Sequence, residues 1–232
     1  MKKRYGPAEA APAGPLVCLP MTKIIKINPE NPEVDRIDEA VAILKSGGVI
    51  AFPTETLYGL GADARNEAAI EKIFGIKGRE FKNPILVVIG NVQHLDTFAA
   101  EIPAAARKLM DRFWPGPLTL VFKASSSVLP MLTAGSGKIG IRLTSHPVAT
   151  ELSGKLGGPV TATSANLSGA PECSSAEEVI SQLEGKLDGL VDCGRTPGGK
   201  GSTIVDVTSC PPKLLREGMI PFLLIQDTLA TA

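Results

Sequence analysis

Apolar and polar positions along the chain switch repeatedly between the two-residue period of a strand and the 3.6-residue period of a helix. Residues 22–27 (TKIIKI) place Ile24, Ile25 and Ile27 in a short run that predicts a strand at a sheet edge. After the NPENPE break, Val34, Ile37, Ala40, Val41 and Leu44 recur at helical spacing, and Gly47-Gly48 stops that helix. Residues 49–52 (VIAF) have the composition of a buried strand. Pro53 has no N–H to donate, so it is expected to end the ladder pairing, and residues 54–61 then read as a polar loop. Ala69, Ile70, Ile73 and Phe74 predict a helix that runs out at Gly75.

The second half continues the pattern. Residues 85–89 form a β-branched run, hence a buried strand, followed by helices over 92–98 and 103–113 and a strand over 118–123. A serine-rich turn leads to the strand 139–143, a helix from Pro147 to the Gly157-Gly158 stop, and a second polar loop over 163–169. Residues 175–183 are helical, with Ser175 as N-cap and Glu178 at capping-box spacing. Leu190-Val191 enters a glycine-rich loop, and strands over 203–207 and 213–216 close the series. Strands and helices alternate early and strands cluster late, which favours one α/β domain on a mixed sheet over a doubly wound parallel one. Its bounds read as 22–225, with 1–21 a disordered extension and 226–232 a tail. Met21, directly before the first strand, is a candidate initiator.

Composition narrows the class. The chain has 232 residues, 44% hydrophobic and 21% charged, with no net charge, enough for one substantial core or two small ones. Zero net charge argues against a protein that wraps nucleic acid. No apolar run approaches the ~20 residues of a membrane-spanning helix. The basic start, MKKR, lacks the apolar stretch that a signal peptide needs. Four scattered cysteines without a CxxC pair read as free thiols of a reducing cytoplasm.

Five polar clusters stand out: Thr54-Glu55-Thr56 with Tyr58, Gly59 and Gly61; Lys77 with Arg79; Arg142; Thr163 to Gly169; and Lys200-Gly-Ser-Thr with Arg216. Threonines and serines at strand ends commonly make local turn bonds, and a lone Lys-x-Arg is commonly a solvated pair. Arg142 is less ordinary, because a guanidinium inside an apolar strand needs a partner. A polar cup followed by cations suits an anionic, phosphate-bearing substrate. The Lys200 cluster is not a P-loop, since Gly194 lies too near Gly199 to frame one and no helix follows. Neither His94 nor His146 sits in a recognisable nucleophile–histidine arrangement. Glu55, Asp63 and Asp206 serve equally as structural acceptors. Hydroxyls, an amide and cations are groups that position phosphates and stabilise charge.

Taken in order, FPTETLYGLGADA, KGRxxxxNP, WPGPLTLVF, IGIRLTSHP, TATSANLSG, GSTIVDVT and LLREG resemble the YrdC/Sua5 family over about residues 22 to 222. The resemblance implies a single α/β YrdC-like domain, a twisted mixed sheet flanked by helices with a concave ligand-binding face. It also implies synthesis of threonylcarbamoyl-adenylate from L-threonine, bicarbonate and ATP, for the t6A modification of tRNA. Carried over by position, Lys77 and Arg79 are the catalytic cations. They share ATP with Thr133, Ser164, Asn166, Ser202 and Arg216. Thr54, Tyr58, Arg142 and Thr163 form the threonine site, with Arg142 suited to the carboxylate as a bidentate fork. Magnesium would arrive with ATP, and no protein metal ligands are implied.

The implied setting is cytoplasmic, with a downstream threonylcarbamoyl transferase as partner, weak tRNA contact and no membrane. Two departures matter. Some relatives carry a histidine in the strand after the Lys-x-Arg segment, where PILVVI here offers only apolar residues around Val88. Longer relatives carry a linker and second domain after the LLR-x-G segment, whereas this sequence stops soon after Pro221, like the single-domain type. Two other readings stand beside this one. An RNA-binding module has thin support in one Trp and two Tyr. A carbamoyl-adenylate domain of the HypF type would use carbamoyl phosphate in place of threonine and bicarbonate.

Overall fold

The apolar runs assemble into two mixed sheets rather than one. The computed structural model of the chain describes residues 21–78 and 83–230. The expected N-terminal extension therefore lies outside the described residues, except for Met21. In chain order the elements are β1 (Lys23–Lys26), α1 (Val34–Lys45), β2 (Ile50–Pro53), β3 (Tyr58–Gly61), α2 (Glu67–Lys77), β4 (Val87–Ile89), α3 (Leu95–Phe98), α4 (Ala104–Phe113) and β5 (Leu118–Lys123). There follow α5 (Pro130–Thr133), β6 (Lys138–Leu143), α6 (Pro147–Leu156), β7 (Val160–Thr161), β8 (Thr163–Ser164), α7 (Ala176–Leu183), β9 (Gly189–Asp192), β10 (Thr203–Asp206), β11 (Lys213–Arg216) and α8 (Phe222–Ala230).

The five-stranded sheet has the order β1-β9-β2-β3-β8, with β1 at the expected edge. The six-stranded sheet has the order β11-β10-β5-β6-β4-β7. Both mix parallel and antiparallel pairs. Ile37, Ala40, Val41 and Leu44 of α1 pack with Val148, Ala149 and Leu152 of α6 in one core, which also takes Ile50 and Phe52 from β2, whereas Val34 at the head of the expected stripe is exposed. A larger core holds α2, α7 and the inward residues of the six-stranded sheet, including Leu120, Phe122, Ile139 and Ile141. Burial of this apolar area is the dominant stabilising term. Among the described residues, no helix is long and apolar enough to cross a membrane.

Several expectations needed correction. Pro53 does not end the ladder, because it pairs with Tyr58 in the β2–β3 hairpin. Thr54 N–H donates to Leu57 O next to it, so the alternation of an antiparallel ladder makes Pro53–Tyr58 a pair that needs no N–H from either residue. Tyr58 to Gly61 is accordingly a strand rather than part of a loop, and Thr163-Ser164 is likewise β8. Helix α2 runs through Gly75 to Lys77, stopped by Gly78 in the left-handed conformation at φ 61°. Lys77 is thus in the last helical turn and not beyond it. The stretch 92–98 divides into a 3₁₀ turn and α3. Two helices had not been expected, α5 and α8, the latter spanning most of the supposed tail and burying Ile225. Ser175 caps α7 as expected, but Glu178 reaches back to the N–H of Ser174 rather than to that of the cap.

The sheets meet through one crossing. Residues 160–161 pair with β4 in the six-stranded sheet, and two residues later 163–164 pair with β3 in the five-stranded sheet. Thr161 strengthens the seam by accepting from Ala62 N–H and donating to Leu60 O. Gly61 is what lets β2, β3 and this crossing close up. A Cβ there would lie 2.8 Å from Phe52 Cε1 and 2.9 Å from Val160 Cγ1. Gly61→Ala is expected to destabilise the fold by about 1–3 kcal/mol through overpacking. Denaturant unfolding should show a lower midpoint at unchanged slope.

Candidate active site

Side chains alternate across a strand, so the register of the six-stranded sheet decides which residues share a face. Ile139 and Ile141 of β6 point into the larger core, which leaves Arg142 on the opposite face. Arg142 lies opposite Val88, and Thr119, Ile204 and Arg216 line up across β5, β10 and β11. Above this face stand the β2–β3 hairpin and the crossing at 160–164. Between them is a cavity of about 280 Å³. Thr54, Tyr58, Arg142, Thr163, Ser164, Ser202 and Arg216 all lie on its wall, seven of the residues singled out from the sequence.

Arg142 is 4% exposed. Its Nη1 donates to Thr56 Oγ1 at 3.2 Å. A hydroxyl has one proton, and that of Thr54 goes to Leu57 O at 2.8 Å, so Thr56 donates to Thr54 across their 3.0 Å contact. The guanidinium is thereby tied through two hydroxyls to the hairpin backbone. Glu55 Oε1 stands 3.6 Å from Nη1, while Thr144 Oγ1 donates to Glu55 Oε2 at 2.6 Å. Burial pushes the guanidinium below its usual pKa, Glu55 opposes that shift, and Arg216 adds to it. Arginine still keeps its proton in any protein setting.

Arg216 forms the second cationic wall. Its Nε and Nη2 both donate to Ser202 O, at 3.1 and 2.9 Å, and Nη2 also reaches Ser202 Oγ. Gly201 permits this close approach, since a Cβ there would lie 2.8 Å from Nη2. Ser202 Oγ shares a hydrogen bond with Thr119 Oγ1 at 2.8 Å. Among the described residues the cavity wall therefore carries two cations, Arg142 and Arg216, together with hydroxyls and apolar side chains such as Leu57, Leu86 and Ala162.

Lys77 takes a different place from the wall residues. Its Nζ donates to Ser164 O at 2.5 Å and to Asn166 O and Oδ1, each at 3.0 Å, and it is 4% exposed. Those oxygens make a buried ammonium tolerable. Ser164 Oγ donates to Asn166 Oδ1, and Asn166 Nδ2 donates to Ala170 O. Lys77 and Asn166 thus set the loop whose Ser164 faces the cavity. Tyr58 donates to Gly194 O and accepts from Cys193 N–H, pinning the glycine-rich loop, and burial raises its pKa well above the phenol range. Thr133 is not on the wall; its hydroxyl bonds Pro130 O within α5. Arg79 lies outside the described residues. Sequence reasoning missed Glu172, a carboxylate on the wall, because its loop has no period or motif to mark it. Replacing Lys77 with Met removes the charged donor shared by Ser164 O and by Asn166 O and Oδ1, and is expected to cost about 1–3 kcal/mol, read as a lower denaturant midpoint.

Comparison with known proteins extends the geometry. The Sua5/YciO/YrdC family model, described as telomere recombination, matches residues 42–218. A threonylcarbamoyl-AMP synthase of Pyrococcus abyssi is 42% identical over 201 residues, 87% of this chain and 59% of the relative. That of Bacillus subtilis is 44% identical over 186 residues, 80% of this chain and 54% of the relative. This chain thus spans a little over half the length of both. The crystal structure of P. abyssi Sua5 complexed with L-threonine superposes with a TM-score of 0.87 at 40% identity, covering 90% of this chain and 61% of that one. With the family model matched over most of its length, this chain belongs to the Sua5/YciO/YrdC family.

Proposed function

We propose that the chain is a nucleotidyltransferase that forms threonylcarbamoyl-AMP and pyrophosphate from L-threonine, bicarbonate or CO2 and ATP. The observation that carries this reading is Arg142, buried on the cavity wall with its Nε unpartnered among the described residues. A buried guanidinium with donors to spare suits a bidentate carboxylate. Arg216 and Ser164 supply a second anion-binding end for phosphate. The names of the two relatives, and the threonine in the P. abyssi structure, support the same assignment.

The chemistry asks for alignment more than for a protein nucleophile. The threonine nitrogen bonds to CO2 and loses a proton, giving a carbamate. A carbamate oxygen then bonds to the α-phosphorus as the α–β bridging bond breaks and pyrophosphate leaves. Two anions must be brought together, and their repulsion is offset by fixed cations and hydroxyl dipoles. Arg142 holds the carboxylate; Arg216, with Ser202 and Ser164, holds the nucleotide; Lys77 keeps the Ser164–Asn166 loop in place. Arg79 joins the phosphate end on the strength of the sequence resemblance. Magnesium bound to ATP would supply further charge neutralisation at phosphorus. Among the described residues no group of three or more His, Cys, Asp or Glu gathers to hold a metal. The product is a mixed anhydride, which a threonylcarbamoyl transferase acting on tRNA would consume. The reducing cytoplasm suits Cys173, Cys193 and Cys210, all free thiols.

Pyrophosphate release from ATP, with bicarbonate and magnesium, tests the reading when run with and without L-threonine. Release should require threonine. Arg142→Ala should lower kcat/KM for threonine by about 100-fold, the loss of a charge-assisted hydrogen-bond pair. Arg216→Ala should instead raise the KM for ATP by about tenfold. Release that ignores threonine, or release only with carbamoyl phosphate, would overturn the assignment. So would salt-sensitive tRNA binding with no turnover at all.

A further inference from the structure

We infer that Glu55 is a positioning residue, which aims Arg142 at the substrate carboxylate from behind the cavity wall. The inference rests on Arg142 being the carboxylate site. Buried polar atoms in folded proteins nearly always find partners, so clustered exceptions mark a place where the chain keeps bonding capacity in reserve. Four buried side-chain atoms lack a hydrogen-bond partner among the described residues: Glu55 Oε1, Arg142 Nε, His146 Nδ1 and His94 Nδ1. The first two belong to one ion pair, and the Glu55 charge also acts on His146. Three of the four exceptions therefore gather around Glu55.

The geometry shows what that carboxylate does. Glu55 sits on the tip of the β2–β3 hairpin, with its side chain 13% exposed and outside the cavity lining. A ligand in the cavity would meet Arg142 rather than Glu55. Thr144, just after β6, donates to Oε2 at 2.6 Å and so fixes the carboxylate plane against the strand that carries Arg142. Oε1 is then left 3.6 Å from Arg142 Nη1. That distance is short for charge attraction and long for a hydrogen bond. The guanidinium is held by field and by Thr56, while its remaining donors stay unspent. A closer, bidentate Glu55 would compete with the carboxylate of the amino acid. An uncharged residue there would leave a buried cation facing Arg216 without compensation. Glu55 thus acts on threonine recognition specifically, at a site distinct from the nucleotide end around Ser202 and Arg216.

Three variants separate this role from a structural one: Glu55→Gln, Glu55→Asp and Thr144→Val. Each is titrated calorimetrically with L-threonine alone and assayed for pyrophosphate release against threonine and against ATP. Glu55→Gln is expected to raise the Kd and KM for threonine by at least about tenfold, the effect of one ordinary charge interaction. The KM for ATP and the kcat at saturating threonine should change by less than about twofold, within the scatter of remote substitutions. Glu55→Asp should recover part of the lost affinity, and Thr144→Val, which keeps the charge but frees its orientation, should fall between. Unchanged threonine affinity in both Glu55→Gln and Thr144→Val would overturn the inference. A joint rise in both KM values with a lower melting temperature, unrelieved in Glu55→Asp, would also overturn it, in favour of a structural role. If the unaltered protein binds no threonine, or Arg142→Lys binds it equally well, the carboxylate-site reading itself fails.

Discussion

A guanidinium removed from water is the constraint around which this molecule is arranged. Arg142 sits on a strand whose alternate residues, Ile139 and Ile141, are committed to the core, so its own side chain must face the other way. There it is 4% exposed, and an uncompensated charge in that position would cost several kcal/mol. Compensation comes from the opposite sheet, through Thr56 and Glu55 on the β2–β3 hairpin. The two sheets are therefore coupled by the group that also gives the cavity its chemistry. Stability draws on this interaction, and a carboxylate ligand would complete a bond set that the fold leaves unfinished.

The architecture follows from keeping that junction open yet rigid. Residues 160–164 pass from one sheet to the other within a few residues, which brings Thr163 and Ser164 to the cavity wall. Lys77 locks the far side of the same loop from the last turn of α2. Tyr58 pins the glycine-rich loop that leads to Ser202. The wall is thus built from strand ends and short loops, each fixed by a buried hydrogen bond. Such preorganisation would lower the cost of ordering the two anionic substrates of the proposed reaction side by side.

Much of this was legible in the residues, and the misses have physical causes. The helices at 34–45 and 147–156 and the strands at 118–123 and 213–216 were readable, because their periodicity and stop signals agree with the packing. The β3 strand was hidden by its glycines, which serve there to accommodate the Phe52 ring rather than to bend the chain. Gly75 looked like a helix end, but the true stop is Gly78, where the backbone turns left-handed. Arg142 announced itself as a charge in an apolar strand. The bond between Lys77 and Asn166 could not be read from spacing, since 89 positions separate them. Thr133, carried over by resemblance, lies off the wall, and Glu172, on the wall, belongs to no pattern.

In the proposed reaction Arg142 and Arg216 divide one cavity into a carboxylate end and a phosphate end. A crystal structure with L-threonine and a non-hydrolysable ATP analogue tests it most directly. The threonine carboxylate is expected on Arg142, with Nε engaged, and the triphosphate against Ser164, Ser202 and Arg216. Threonine bound elsewhere, or a phosphate group on Arg142, would contradict it.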